Sequence, residues 1–228
     1  MSLQRGPRIV TSGLVLHVDP ADRNSYSGSG TLLADLSGNN NNGTLTNGPT
    51  FNTAAEGSLV YDGTDDYVDL GAGVGTLDQL SNIITIQAMI YTGLPNSRMT
   101  IYSTGYTGTG IMFGTSGPTP GGLEVYYPSV FVAYTNGSLL GSNTWYHVAY
   151  TRNGTGAGTH AFYINGVQQA LASDTASNFG TISTNKYIGL RSGVMWNGRI
   201  SCVSVYNRPL SSDEILRNFN AIRKRFVI

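Results

Sequence analysis

Cysteine is almost absent. Cys202 is the only one in 228 residues, so no intrachain disulfide can form and no disulfide scaffold is available. Charge is scarce too: 11% of residues are ionisable Asp, Glu, Lys or Arg, 13 of each sign, and the formal net charge is zero. That balance gives no electrostatic grip on nucleic acid, whose binding draws most of its affinity from Lys and Arg on phosphates. No apolar run approaches the roughly 20 residues of a membrane span. The opening Met1–Arg8 carries no secretory signal pattern, so folding in a cytoplasm is expected.

Glutamate is the scarcest acidic residue, with Glu56, Glu124 and Glu214 far apart in the chain. A retaining glycosidase needs two carboxyl groups about 5–5.5 Å apart, and the only dense acidic run is Asp62-Gly63-Thr64-Asp65-Asp66-Tyr67-Val68-Asp69. Adjacent Asp65 and Asp66 point apart if extended, whereas Asp62 and Asp65 suit a turn in which Asx side chains cap backbone amides. His17, His147 and His160 each sit in a strand-like stretch, and no Gly-x-Ser-x-Gly elbow, CxxC, HExxH or phosphate loop accompanies them. The expectation is a protein that is not an enzyme.

What the chain has is 30 glycines, 14 tyrosines and 40% hydrophobic residues, enough to bury a core of about 70% of the unfolded surface. Apolar runs of strand length recur between Gly, Asn, Ser, Thr and Pro clusters, among them Leu14–Val18, Ile83–Tyr91, Gly110–Phe113, Leu123–Tyr127, Trp145–Arg152, Lys186–Leu190 and Arg199–Tyr206. The spacing is that expected of an all-β sandwich or barrel. Asn165-Gly166 supplies the φ > 0 pair of a type I′ hairpin, and Asn136-Gly137 and Asn153-Gly154 read as further turns of this kind. Cys202, in Ile200–Val205, reads as a buried and inert strand thiol. One helix is expected near the C-terminus, where Ser211-Ser212-Asp213-Glu214 reads as a capping box and Ile215, Leu216, Phe219 and Ile222 form an apolar stripe. This divides the chain into an N-terminal arm (1–12), a sandwich (13–210) and a C-terminal helix with a basic tail (211–228).

With catalysis set aside, recognition remains. Trp196 in its Gly193–Gly198 loop, with Tyr126 and Tyr127 as the foremost partners and Tyr102 and Tyr106 behind them, could offer flat faces to a sugar ring; the other reading is that these rings fill the core or an interface. Arg223, Lys224, Arg225 and Phe226 read either as a solvated helix end or as a docking arm onto an acidic protein surface. No cofactor is expected. Calcium is left open, with Asp35, Asp62 and Asp65 as its candidates.

Several segments, in order, resemble the laminin G-like, concanavalin A-like lectin family: Gly13–Asp19, Asp35–Asn39, Asn42–Leu45, Tyr61–Val68, Thr144–Ala149, Phe162–Gly166 and Gly198–Ile200 with Val205–Ser211. The resemblance implies a jelly roll of two packed antiparallel sheets with one short C-terminal helix. The family often places an acidic residue that helps hold a structural calcium just after the Gly-x-Ile pair. Here Ser201 and Cys202 stand at that place, so the resemblance carries no metal across. The glucanase branch carries a Glu-x-Asp-x-x-Glu strand that this chain lacks.

Gly6–Leu14, Asn47–Phe51 and Tyr206–Leu210 with Glu214–Ala221 further resemble single-domain proteins of tailed bacteriophages. That likeness implies a virion structural protein, with capsid-surface decoration favoured over a neck or tail position. It would be assembled in the host cytoplasm, with other virion proteins as partners and host glycans as possible ligands, and without nucleic acid or membrane. A carbohydrate-binding adhesion module is the alternative.

Overall fold

The computed structural model describes residues 7–53, 57–72, 75–105, 110–115, 118–127, 130–179, 185–226 and 228. Two antiparallel sheets face each other. The eight-stranded sheet runs Val167–Gln168, His160–Ile164, Thr144–Asn153, Ile83–Thr92, Asn197–Tyr206, Ser58–Asp62, Thr50–Asn52, with Leu14–Val18 paired onto Asn197–Tyr206. The nine-stranded sheet runs Leu171–Asp174, Val130–Thr135, Leu123–Tyr127, Met112–Thr115, Met99–Thr104, Lys186–Ile188, Tyr67–Asp69, Gly43–Thr46, Leu32–Leu33. Alternation decides which side chains meet between the sheets. Ile84, Ile86, Ala88 and Ile90 enter the shared core with Val148, Tyr150, Val203 and Val205, while Met89 and Tyr206, of opposite parity, join smaller clusters.

The Asn165-Gly166 turn forms as expected, with φ of 51° and 80° and Ile164 paired to Val167. The other two Asn-Gly pairs differ: Asn153-Gly154 opens a longer 154–159 connection, and Asn136-Gly137 follows a strand end without starting a hairpin. The stretch expected as one strand over Lys186–Leu190 breaks at Gly189, whose φ of 88° turns the chain into a Leu190–Arg191/Val194–Met195 hairpin. The strand expected to begin at Gly110 starts at Met112, because Gly110 has φ of 79° and its missing Cβ would lie 1.7 Å from the Thr104 carbonyl oxygen. Cys202 is a buried free thiol whose pKa burial pushes up to about 12.

The helix, Ser212–Ile222, begins with the expected capping box. Ile215, Asn218 and Phe219 are buried against the outer face of the eight-stranded sheet, but Leu216 turns outward and is 42% exposed. The buried Asn218 carboxamide accepts from the Val10 amide at 2.7 Å and donates to Tyr206 Oη at 3.1 Å, so part of the N-terminal arm is fixed beneath the helix. No helix among the described residues is long and apolar enough to cross a membrane.

Glu214 serves the cap twice, accepting from the Ser211 amide at 3.0 Å and from both Arg208 terminal nitrogens at 2.8 and 2.6 Å. These bonds, Arg208's first, hold its carboxyl down at about 2. A carboxyl depressed in the folded state adds stability that is present above its unfolded value near 4.3 and is lost as pH falls toward the folded value. Glu214→Gln should therefore cost about 1 kcal/mol at pH 7 and only a small fraction of that near pH 2. Urea unfolding at both pH values checks this, and a gap that persists in acid would contradict it.

Candidate functional site

A wide recess among the described residues lies between the segment after the first strand and the short Thr50–Asn52 edge strand. Local hydrogen bonds shape its first wall. Asp19 caps the Ala21 amide at 3.1 Å, Asp22 accepts from the Asn24 amide at 2.8 Å, and Ser25 Oγ donates to the Ala34 carbonyl at 2.7 Å. This turn leaves Arg23 exposed and buries Tyr26, whose hydroxyl donates to the Gly30 carbonyl at 3.0 Å. Phe51, half-buried on the opposite wall, meets Tyr26 edge-on at 5.4 Å. Gly57 closes one end. Its φ is 71°, and an added Cβ would lie 2.5 Å from the Ala21 Cβ, so only glycine lets the two segments approach this closely.

The resulting groove holds about 580 Å³, and its lining includes Arg23, Tyr26, Ser27, Ser29, Phe51 and Thr53. That size lies in the ordinary range for small-ligand sites, and aromatic carbon mixed with a few polar groups is the lining such sites show. It abuts a second recess of about 390 Å³ lined by Asp19, Ala21, Asp22, Arg23 and Arg225.

The residues expected to bind ligand are not brought to one surface. Trp196 is fully buried in the shared core, because the chain crosses from one sheet to the other there and carries the ring inside, with its amide donating to the Gly189 carbonyl at 2.9 Å. It is therefore not an exposed platform, and nor is Tyr102, which is equally buried. Tyr127 meets the Phe179 ring in a tilted contact at 5.1 Å. Tyr126 carries the Arg98 guanidinium over its ring at 4.2 Å, with Arg191 farther off at 5.8 Å. Tyr106 lies outside the described residues.

The basic tail is folded back on its own chain. Arg225 pairs with Asp19 at 2.5 and 3.0 Å, and Phe226 is buried beside Met89 and Cys202 with its ring 4.8 Å from Trp145. Those two are anchors within the domain and not part of a free docking arm, because the apolar ring finds cover on the sheet and the guanidinium finds a carboxylate. Arg223 lies 5.5 Å from the Phe219 ring, and Lys224 is exposed.

The acidic candidates separate in the same way. Asp35 is filled by four donors: the amides of His17, Ser37 and Asn41 and the Ser37 hydroxyl, all at 2.7–3.0 Å. A carboxylate so occupied is a structural tie, and it is not grouped with the other two. Asp62 and Asp65 are instead joined by Asp66, with ligand oxygens within 4.8 Å of one another. Asp66 is buried, accepts the Asp62 amide at 3.0 Å, and has its carboxyl raised by burial. These three are the described residues that could hold a cation. Asp65 also lines a cleft of about 270 Å³ with Asn47, Thr64, Tyr67 and Met195.

Two glutamates are engaged by arginines. Glu214 belongs to the helix cap. Glu124 is fully buried on the nine-stranded sheet and accepts from Arg98 Nε at 2.6 Å. Residue-type reasoning missed Arg23, Tyr26 and Phe51. The Ser27-Gly28-Ser29-Gly30 run marks a turn beside Tyr26, but no pattern in the chain says that Phe51 comes to lie across from it.

The profile described as the concanavalin A-like lectin/glucanases superfamily, Laminin_G_3, matches residues 62–216. No curated protein sequence matches the chain. Among solved structures, a Trypanosoma rangeli sialidase in complex with sialic acid superposes on 99% of the chain with a TM-score of 0.68 and 15% identity, and this chain spans 37% of the sialidase. Domain 4 of AbnA, an extracellular arabinanase of Geobacillus stearothermophilus solved with arabinotriose, covers 91% of the chain and 98% of its own length at TM-score 0.59 and 16% identity. The binding domain of Paraclostridial Mosquitocidal Protein 1 covers 92% of the chain and 52% of its own length at TM-score 0.68 and 16% identity.

Proposed function

The chain belongs to the concanavalin A-like lectin/glucanases superfamily, and from that premise we propose that it is a non-enzymatic glycan-binding module carried on a tailed-phage virion, with the Arg23–Phe51 groove as its ligand site. One observation carries the binding reading. On a sandwich whose structural neighbours include proteins solved with sialic acid and with arabinotriose, a recess of about 580 Å³ joins an aromatic wall at Phe51 to a cationic side chain at Arg23. The absence of catalysis is supported by the commitments of Glu124 and Glu214 to Arg98 and Arg208.

The virion role rests on the sequence likeness at Gly6–Leu14, Asn47–Phe51, Tyr206–Leu210 and Glu214–Ala221. On this reading the protein sits on the capsid surface, favoured over a neck or tail position, among other virion proteins after assembly in the host cytoplasm. Mass spectrometry of purified particles tests that part, and absence of the chain from intact virions sinks it. The adhesion-module reading then remains, since it needs the groove and not the particle.

For the groove, a glycan array followed by titration of the best ligand should show affinity falling about tenfold in Phe51→Ala, with the far-ultraviolet circular dichroism unchanged. An unchanged affinity would remove the groove from the proposal. A hydrolase reading has one observation in its favour, the carboxylate spacing of Asp62, Asp65 and Asp66. Sugar release that is abolished by Asp65→Asn would establish it.

A further inference from the structure

We propose that the groove selects carboxylated saccharides over their neutral counterparts, with Arg23 as the residue that reads the carboxylate; this rests on the glycan-binding reading above and narrows it. Arg23 is the only charged side chain among the described residues that line the groove. No carboxylate of the described residues lies within ion-pairing distance of it. Among the described residues its guanidinium reaches only the Ser27 carbonyl, at a long 3.5 Å.

The two neighbouring carboxylates are occupied elsewhere. Asp19 takes both terminal nitrogens of Arg225 at 2.5 and 3.0 Å. Asp22 Oδ1 accepts from the Asn24 amide at 2.8 Å and from Asn24 Nδ2 at 2.9 Å. Arg23 thus lines both recesses and is exposed.

A planar fork of N–H donors matches a carboxylate through two parallel charge-assisted hydrogen bonds, which a neutral hydroxymethyl group cannot accept. Phe51 and the edge of Tyr26 give the apolar face of a pyranose ring its contact on the same groove. Ring and charge would be read at once, one by each wall.

The test is calorimetric titration of the intact protein with two matched pairs: an oligogalacturonide against its methyl ester, and sialyllactose against lactose. At least one acidic member should bind roughly ten- to a hundredfold more tightly than its neutral match. That difference should vanish in Arg23→Gln and shrink as salt rises from about 0.05 to 0.5 M. Arg23 is exposed, so its replacement leaves the fold intact.

Equal affinities within both pairs, still lost in Phe51→Ala, overturn the acid preference and leave glycan binding standing. An acid preference that survives Arg23→Gln overturns the assignment to this residue. No binding of any of the four at about 10 mM overturns it together with the glycan reading.

Discussion

Replacing Trp196 by Ala should lower the unfolding free energy by about 3–5 kcal/mol, which for a chain of this length moves the thermal midpoint down by roughly 6–20 °C. The ring is 0% exposed and belongs to the shared core, at the point where the chain leaves the Leu190–Met195 hairpin and enters the strand Asn197–Tyr206. Removing it leaves a cavity that both sheets border, and backbone on either side is held by the Trp196 amide bond to Gly189 and the Asn197 side-chain bond to the Asp62 carbonyl at 2.7 Å. The surroundings therefore have little freedom to collapse. Trp196→Phe should cost much less, because it keeps most of the apolar volume and deletes an indole N–H that has no hydrogen-bond partner among the described residues. Thermal and urea unfolding of the pair measure this. A loss below about 0.5 kcal/mol in Trp196→Ala, the behaviour of an exposed ring, would contradict the burial.

The second large effect is expected at Arg98. Glu124 stands on an interior strand of the nine-stranded sheet, opposite Gly114 on one side and Tyr134 on the other, and its side chain is 0% exposed. One carboxylate oxygen accepts from Arg98 Nε at 2.6 Å, and the other has no hydrogen-bond partner among the described residues. Arg98→Ala would leave this carboxylate buried without its counter-charge, at a cost of about 3–5 kcal/mol near neutral pH.

The pH dependence supplies the sign. Burial raises the Glu124 carboxyl above its usual range, and the Arg98 hydrogen bond and charge pull the other way. A raised carboxyl binds more protons in the folded than in the unfolded chain, so its stability contribution is greatest below the unfolded value near 4.3 and declines as pH rises through the folded value. Without Arg98 that decline should steepen and extend to higher pH. The deficit of Arg98→Ala should thus shrink on going from pH 8 to pH 4, and Glu124→Gln added to it should recover much of the loss at pH 8. Urea unfolding across that range decides the matter. A deficit independent of pH, or no recovery in the double variant, would show that Arg98 acts through packing on Tyr126 and not through the charge.

Much of the architecture was legible because strands and turns are written locally. The hairpin at Asn165-Gly166 needs only two residues that tolerate positive φ, and the capping box needs only Ser211 and Glu214 three apart. Alternation over Ile83–Thr92 likewise tells inner from outer faces without knowledge of the partner sheet. The inert thiol at Cys202 follows from its apolar strand neighbours in the same way. Leu216 shows the limit even for local patterns, since helical spacing fits it to the apolar stripe while the neighbouring hairpin leaves it outside.

The site was another matter. Trp196 sits between glycines in a loop-like stretch, and nothing local says that the chain crosses between sheets there and takes the ring into the core. Arg225 and Phe226 look free in a terminal basic tail until Asp19, 206 positions earlier, is brought to meet the guanidinium. Composition and pattern by themselves determined the all-β class, the C-terminal helix, the main strands and the scarcity of glutamate. Only the tertiary structure decided which aromatics are exposed, which acids are already occupied and where a groove opens. Exposure and ion pairing depend on residues far apart in the chain, and their proximity is set by how the two sheets pack.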